Sequence, residues 1–304
     1  MNTIDLQIQS TCSDGAHTPK ELVHMARDRG VAVISLTDHD TVEGVPIARE
    51  EGARFGVKVL PGIEMTCQLM EHEIHMLGFG IDHTNAKLLS ALKEARDARK
   101  KKSEKIVNRL QDAGFIVTMD DVRRCSKGET IARPNIAEAV LSRPENKGKL
   151  GSIAHIHEFI EAYLVSGKPT YVEREKMPAE AAVNLIHGAG GIAVWSHPAV
   201  SIHNDFNKIE DVLKVFISYG VDGIEAFHPN YSEDETEFLN MLAEKYGLLR
   251  SAGSDYHRED DAYHNPQGRG GIAGYDAFGY DLGDIVPRIE TAILKRRLQA
   301  ERTT

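Results

Sequence analysis

The sequence predicts an α/β fold: a β/α barrel with an inserted helical domain, on three observations. Short apolar runs alternate with amphipathic helical segments at both ends of the chain, the βαβα rhythm of a mainly parallel sheet. Six times an apolar run is joined to His, Asp or Glu: VAVISL to Thr37-Asp38-His39-Asp40, VKVLPGI to Glu64, IHMLGF around His75, GGIAVW to Ser196-His197-Pro198, GVDGI to Glu225-Ala226-Phe227-His228, and LLRSAG to Ser254-Asp255-Tyr256-His257. A β/α barrel gathers residues so placed around one mouth. Between about residues 82 and 177 the strand rhythm gives way to helical patterns.

The first strand covers residues 3–8, and Ser13-Asp14-Gly15 is a turn. A helix begins at Thr18-Pro19-Lys20-Glu21, where Thr18 and Glu21 form a capping box and Pro19 takes the first helical position. Leu22, Val23, Met25 and Ala26 give it an apolar face, and Arg29-Gly30 ends it. Strands at 31–36 and 57–63 flank a helix at 45–55 closed by Gly56. Past residue 81 the longest helix runs from 86 to 113 on a stripe that includes Leu88, Leu92, Ile106, Val107 and Leu110. Shorter helices follow at 136–141 and 156–165, and Gly167-Lys168-Pro169 is a break. The barrel resumes with a helix at 178–187, a strand at 192–195, a helix at 208–219 and a strand at 221–226. A helix opened by the Ser232/Glu235 capping box, a strand at 248–252, a Gly-, Asp- and Tyr-rich loop over 260–283 and a closing helix at 285–297 complete the chain. The expected division is a barrel of residues 1–81 and 178–304, with 82–177 a helical insertion over its mouth.

With 304 residues the chain can bury a substantial core. No apolar run approaches the roughly 20 residues that span a bilayer, and the N-terminus lacks signal-peptide regions. Cys12, Cys67 and Cys125 stand far apart, outside CxxC pairs, so reduced thiols and a cytoplasmic location are expected. The net charge of −10 disfavours charge-driven binding to duplex nucleic acid. It leaves room for an anionic substrate, because bound cations supply local positive charge.

Imidazoles and carboxylates bind divalent zinc, manganese or iron, and a carboxylate bridges two such ions. Phosphate ester cleavage uses that arrangement. The candidates are Asp14, His39, Glu64, His75, His197, Asp255 and His257. Singly, each is equally well a capping or hydrogen-bonded residue, and Asp38 or Asp40 a cap of the next helix; their joint placement at strand ends favours a shared metal site.

In this order, DLQIQSTCSDG, TDHDTVEG, PGIE, HEIHMLGF, WSHP and GSDYH resemble the motifs of the PHP (polymerase and histidinol phosphatase) family of metal-dependent phosphoesterases. The helical stretch with IARPNIAEA resembles the branch of nucleoside 3′,5′-bisphosphate phosphatases and 5′-to-3′ exoribonucleases. The resemblance implies a distorted (β/α)7 barrel and up to three divalent ions (Mn, Zn, Fe or Mg). One position would use two first-strand residues with Glu64 and Asp255; the second Glu64, His75 and His197; the third Asp14, His39 and His257. A hydroxide between metals would attack phosphorus, with His197 or His257 steering protons as catalytic residues.

The first-strand motif, usually D-x-H-x-H, is here Asp5-Leu6-Gln7-Ile8-Gln9. Amides are weaker ligands than imidazoles, so Gln7 and Gln9 count only as weak ligands, and the expected cluster has two firm metals and a third that is labile, absent or a harder ion. Arg133, beside the start of a helix, reads as a phosphate anchor or as a surface partner of Glu129 or Glu138. Asn135 stands where relatives often carry His and joins Arg133 as a substrate-binding candidate; His228 is a candidate for the site rim. The run Arg99-Lys100-Lys101-Lys102 reads as a solvated helix face, His155 and His157 as surface histidines, and Gly188–Gly191 as a turn. The leading expectation is a phosphoesterase acting on a small nucleotide, nucleoside 3′,5′-bisphosphate-like, or a very short RNA. The alternatives are a histidinol phosphate-like or other small-molecule monophosphatase, and an impaired nucleotide-binding protein that lost turnover with Gln7 and Gln9.

Overall fold

The computed structural model describes residues 3–70, 72–126, 131–173, 176–202, 205–259 and 271–303. Elements follow in chain order: β1 (Ile4–Ile8), α1 (Pro19–Asp28), β2 (Val33–Leu36), α2 (Gly44–Phe55), β3 (Lys58–Leu69) and β4 (His72–Phe79). Next come α3 (Ala86–Asp112), α4 (Met119–Cys125), α5 (Arg133–Leu141), α6 (Lys147–Leu150) and α7 (Ile156–Phe159), which runs into a π-helical turn at Ile160–Leu164. β5 (Met177–Pro178), α8 (Ala179–Gly188), β6 (Ile192–Trp195), α9 (Pro198–Ser201), α10 (Phe206–Ser218), β7 (Gly223–Phe227), α11 (Glu233–Tyr246), β8 (Leu249–Ala252) and α12 (Ile285–Thr303) follow. The expected capping boxes at Thr18/Glu21 and Ser232/Glu235 are both formed. Asp38 and Asp40 do not cap α2, whose N-cap residue Glu43 makes no side-chain cap bond.

Seven strands follow one path, β1-β2-β3-β4-β6-β7-β8, and the two-residue β5 adds to β3. β1, β2 and β3 are mutually parallel, as are β6, β7 and β8, while β4 runs antiparallel to both β3 and β6. The sheet curls until its ends meet: Ile8 bridges Tyr256 in parallel, and Gln9 N donates to Tyr256 O at 3.0 Å. Asp5 fastens the seam, accepting from Ser254 N at 2.9 Å, Ser254 Oγ at 2.6 Å and Ala273 N at 2.6 Å. The barrel is therefore nearly closed and distorted by one reversed strand.

That reversal explains two features of the sequence. Glu64 lies in the middle of β3, because β3 continues to Leu69 to pair with β4. His75 sits near the start of its apolar run because β4 enters from the mouth, where His75 pairs with Thr66.

Trp195, Phe216, Phe227, Ile63 and Leu77 belong to the barrel's main apolar cluster. A second cluster, with Ile106, Val107, Leu110, Phe115, Val140 and Phe159, joins α3, α5 and α7. α3 serves both: Leu88 and Leu92 pack into the barrel cluster, Ile106 and Leu110 into the other. The run 99–102 departs from a solvated face. Lys100 and Lys101 are exposed, but Arg99 and Lys102 are half-buried, because the helix turns that side toward the barrel mouth. His155 and His157 are exposed, and Gly188–Gly191 forms the turn into β6. Most of the expected loop at 260–283 is described only from residue 271 onward. The three cysteines are unpaired, and no helix among the described residues is long and apolar enough to cross a membrane.

Closure leaves no room beside Gly253. A Cβ there would overlap Gln7 Cβ and stand 2.9 Å from both Gln7 N and Glu225 Oε1. Gly253→Ala is expected to cost about 1–3 kcal/mol of stability through forced displacement of β1. Urea unfolding with an unchanged midpoint would contradict this packing.

Candidate active site

Glu64 is the hub of the barrel mouth. Its side chain has no solvent exposure, and β3 holds it through Glu64 N to Asp38 O at 3.3 Å and Asp40 N to Glu64 O at 2.9 Å. Oε1 faces His75 Nδ1 at 2.9 Å, His197 Nε2 at 3.2 Å and the Ser196 hydroxyl, which donates at 3.2 Å. Oε2 accepts from Gln9 Nε2 at 2.6 Å and Gln7 Nε2 at 3.2 Å, with His39 Nδ1 at 3.7 Å. Burial pushes the Glu64 carboxyl upward, yet His39, His75 and His197 together hold it well below the usual carboxylate range.

A second group assembles alongside. Asp14, His39 and His257 present ligand atoms within 4.8 Å of one another, as do His39, Glu64 and His75. His39 thus belongs to both. The His257 ring donates from Nδ1 to Asp255 O at 2.8 Å, which turns Nε2 toward Asp14 Oδ1 at 3.5 Å. Fixing one ring nitrogen on a backbone carbonyl leaves the other as donor to a metal. The Asp255 carboxylate lies 3.8 Å from His257 Nδ1, and neither trio includes it. The first trio is the third expected set; the other has His39 where the second expected set has His197, and both offer mixed nitrogen and oxygen donors of the kind that suit a divalent cation.

Several of these residues hold strained backbone. His197, Asp255 and Asp40 have φ of 31°, 49° and 54°, left-handed values that cost non-glycine residues about 1–3 kcal/mol each. His197 also precedes Pro198, which disfavours helical conformations at that position. Its backbone N–H donates to Glu225 Oε2 at 2.8 Å, and its ring Nδ1 lies 3.2 Å from Ser201 Oγ, leaving Nε2 toward Glu64. Glu225 is fully buried. Burial, with Asp255, Glu64 and Asp5 nearby, raises its carboxyl well above the ordinary value. The sequence placed Glu225 at a strand end without distinguishing it; its part is to hold the His197 backbone. Asp38, likewise buried and raised to about 6, accepts from Ser10 N at 2.6 Å, Ser10 Oγ at 2.7 Å and Ser13 Oγ at 2.7 Å, so it shapes the loop that carries Asp14.

The cluster opens into a cavity of about 560 Å³ between the barrel mouth and α3, α5 and the π-helical turn. Arg133 lines it as the first residue of α5, and so does His228, which lies beside His197 with ring centroids 6.0 Å apart. Arg133 pairs with Glu73 at 3.4 Å, neither of the carboxylates anticipated; Glu129 lies outside the described residues. Glu73 also holds Lys176 at 2.9 Å. Asn135 does not face the cavity. Its Oδ1 accepts from Ala132 N at 2.8 Å and its Nδ2 donates to Cys125 O at 3.3 Å, so its amide is spent on closing the start of α5. Arg99 was missed. It lines the cavity, donating to Asp40 Oδ2 at 2.5 Å and Thr66 Oγ1 at 2.8 Å. Its place in a run of four basic residues hid it, since only the helix phase separates Arg99 and Lys102 from their neighbours.

A family model for the PHP domain matches residues 5–225. The chain is 34% identical over 260 residues to a Chromobacterium violaceum 3′,5′-nucleoside bisphosphate phosphatase, covering 84% of this chain and 88% of that protein. It is 31% identical over 256 residues to the Escherichia coli 5′-3′ exoribonuclease Rnm, covering 84% and 85%. A solved structure from Bifidobacterium adolescentis, assigned as a metal-dependent phosphoesterase, superposes with a TM-score of 0.78 at 26% identity over 95% of both chains.

Burial works against the charge on His75, but Glu64 and Glu73 outweigh it and push the imidazole up to about 10. The stability contributed by this pair is fully present below the ordinary histidine value of 6.5 and is lost as pH rises through about 10. A cation taken up by His75 must displace that proton. Loading with manganese at pH 7 is therefore expected to release protons and to tighten as pH rises toward 9. Calorimetry in buffers of different ionisation enthalpy measures both; an affinity that does not change with pH would contradict the proton count.

Proposed function

Because the chain belongs to the PHP family, a family of phosphoester hydrolases that use divalent metals, we propose that it removes a phosphate from a small nucleotide bearing two separated phosphates. A nucleoside 3′,5′-bisphosphate has that form, and a very short RNA presents the same pair of groups. The C. violaceum and E. coli relatives support the substrate class. The observation that carries the reading is the cavity itself, which Asp14, His39, His75 and His197 line together with Arg133, Glu73 Oε1 lying between Arg133 at 3.4 Å and His75 Nε2 at 3.9 Å. Its volume lies in the range of sites for nucleotide-sized ligands, about 300–1,000 Å³. Ile106, Ile131, Pro134 and Ile160 line the same space and offer apolar contact to a base.

Asp14, His39, Glu64, His75, His197 and His257 would hold the cations, which polarise the phosphoryl oxygens and lower the pKa of the attacking water. The chain's own residues do the remaining work. Glu64 fixes the facing edges of His75 and His197. Glu225 and Ser201 fix the strained His197 at its backbone and ring. The His257 ring, held on Asp255 O, keeps its outer nitrogen on the side of Asp14. Arg133, tethered by Glu73 at the start of α5, meets the phosphate that stays intact through its guanidinium. The segment of residues 82–177 supplies that wall and serves as the insertion over the mouth.

Phosphate release from nucleoside 3′,5′-bisphosphates, nucleoside 5′-monophosphates and histidinol phosphate, each with manganese, zinc, iron and magnesium, tests the assignment. The bisphosphates are expected to be preferred by kcat/KM. In Arg133→Ala the KM for a bisphosphate should rise about 10-fold or more, equal to roughly 1.4 kcal/mol, while that for a monophosphate stays nearly unchanged. An equal loss on both would remove Arg133 from the second phosphate. Preference for histidinol phosphate would favour the monophosphatase reading.

A further inference from the structure

The two oxygens of Glu64 have different company. Oε1 is met by imidazoles and the Ser196 hydroxyl; Oε2 is met most closely by two amide groups, Gln9 Nε2 at 2.6 Å and Gln7 Nε2 at 3.2 Å. Gln7 Nε2 also donates to Ser196 Oγ at 3.0 Å, and Ser196 passes its own proton on to Glu64 Oε1. The face of Glu64 that the family pattern turns to a first metal is thus covered by N–H donors, and a side-chain N–H cannot ligate a cation. Among the described residues, the two trios of His, Asp and Glu within 4.8 Å are Asp14/His39/His257 and His39/Glu64/His75.

The amide orientation follows from charge. Turned over, Gln9 would place its carbonyl oxygen 2.6 Å from a carboxylate oxygen, acceptor against acceptor. In the orientation present, Gln9 Oε1 lies 3.2 Å from the Ser13 hydroxyl. The cost falls on Gln7 Oε1, which is buried without a hydrogen-bond partner among the described residues.

We infer that the first metal position of the family is closed in this chain, that the Gln7 and Gln9 amides take the cation's place against Glu64, and that the cluster is dinuclear. This deepens the phosphoesterase assignment and rests on it. Two cations suffice to grip both the attacking and the leaving oxygen of an in-line displacement. The amides serve the buried carboxylate by charge-assisted hydrogen bonds.

Metal stoichiometry tests this without recourse to turnover. The native protein, saturated with manganese and desalted, is expected to hold two ions per chain by elemental analysis. The Gln7→His/Gln9→His double variant is expected to hold three. Three ions in the native protein would overturn the closed position while leaving the phosphoesterase assignment intact; fewer than two would overturn both. A double variant with native circular dichroism that still holds two would also overturn it. Should that variant not fold, anomalous diffraction from manganese-loaded native crystals decides. Peaks are expected beside Asp14/His39/His257 and beside Glu64/His75/His197, and a peak within ligand distance of Gln7 or Gln9 would end the proposal.

Discussion

A carboxylate buried at the centre of a barrel mouth is the constraint on which the rest of this structure depends. Glu64 has no access to water, and an uncompensated charge there would cost several kcal/mol. Every neighbouring side chain answers that cost. Three imidazoles, two amides and a serine hydroxyl surround the two oxygens. None of these partners is on β3: they come from β1, the loop after β2, β4 and the end of β6. The charge is satisfied only when these separate segments are assembled around β3. Asp5, also buried and raised to about 6 by desolvation against its hydrogen bonds, does the equivalent work at the seam between β1 and β8.

The same constraint explains where backbone strain collects. A mouth built from strand ends points side chains outward or inward by the pleat alone, and the cluster needs several to converge on one carboxylate. At His197 and Asp255, two and three residues past the ends of β6 and β8, the chain turns through left-handed values. Each is tied down, His197 by Glu225 and Asp255 by the hydrogen bond its carbonyl accepts from His257. Such conformations persist where surrounding contacts over-determine them.

Much of this was legible in the sequence, and the failures have physical causes. Strand and helix periods placed β6 and the start of α3 to the residue, because apolar runs bounded by Gly and capping residues leave little freedom. The convergence of His39, Glu64, His75, His197 and His257 followed from their positions at apolar-run boundaries. The antiparallel course of β4 was not legible, since alternation carries no direction; only the early position of His75 in its run hinted at it. Asn135 was read as a substrate contact, and the structure gives it the cap of α5, because a polar residue at the third position of a helix serves a cap as readily as a ligand. Glu225 went unremarked because the sequence does not distinguish a buried carboxylate bonded to a neighbour's backbone from any acid at a strand end. Gln7 and Gln9 were seen as weakened ligands. Which end of each amide faces Glu64 is a property of the assembled charges.

Arg99 ties the two halves of the site together. It extends from α3, which shares its apolar residues between both core clusters, to Asp40 and Thr66. Asp40 also accepts from Thr66 N at 2.9 Å and stands next to His39, while Thr66 pairs with His75 across the sheet. α3 is therefore anchored at the chain neighbour of His39 and at the cross-strand partner of His75. With a net charge of −10 over the whole chain, attraction for an anion must be local, and this anchor concentrates it. Arg99 donates from Nη2 to Asp40 and Thr66, so its charge is partly neutralised by the Asp40 carboxylate before any ligand arrives. That division suits a positioning role for Arg99. Arg133, whose partner Glu73 is shared with Lys176, retains more net positive charge around it and is the better placed of the two arginines to meet a phosphate.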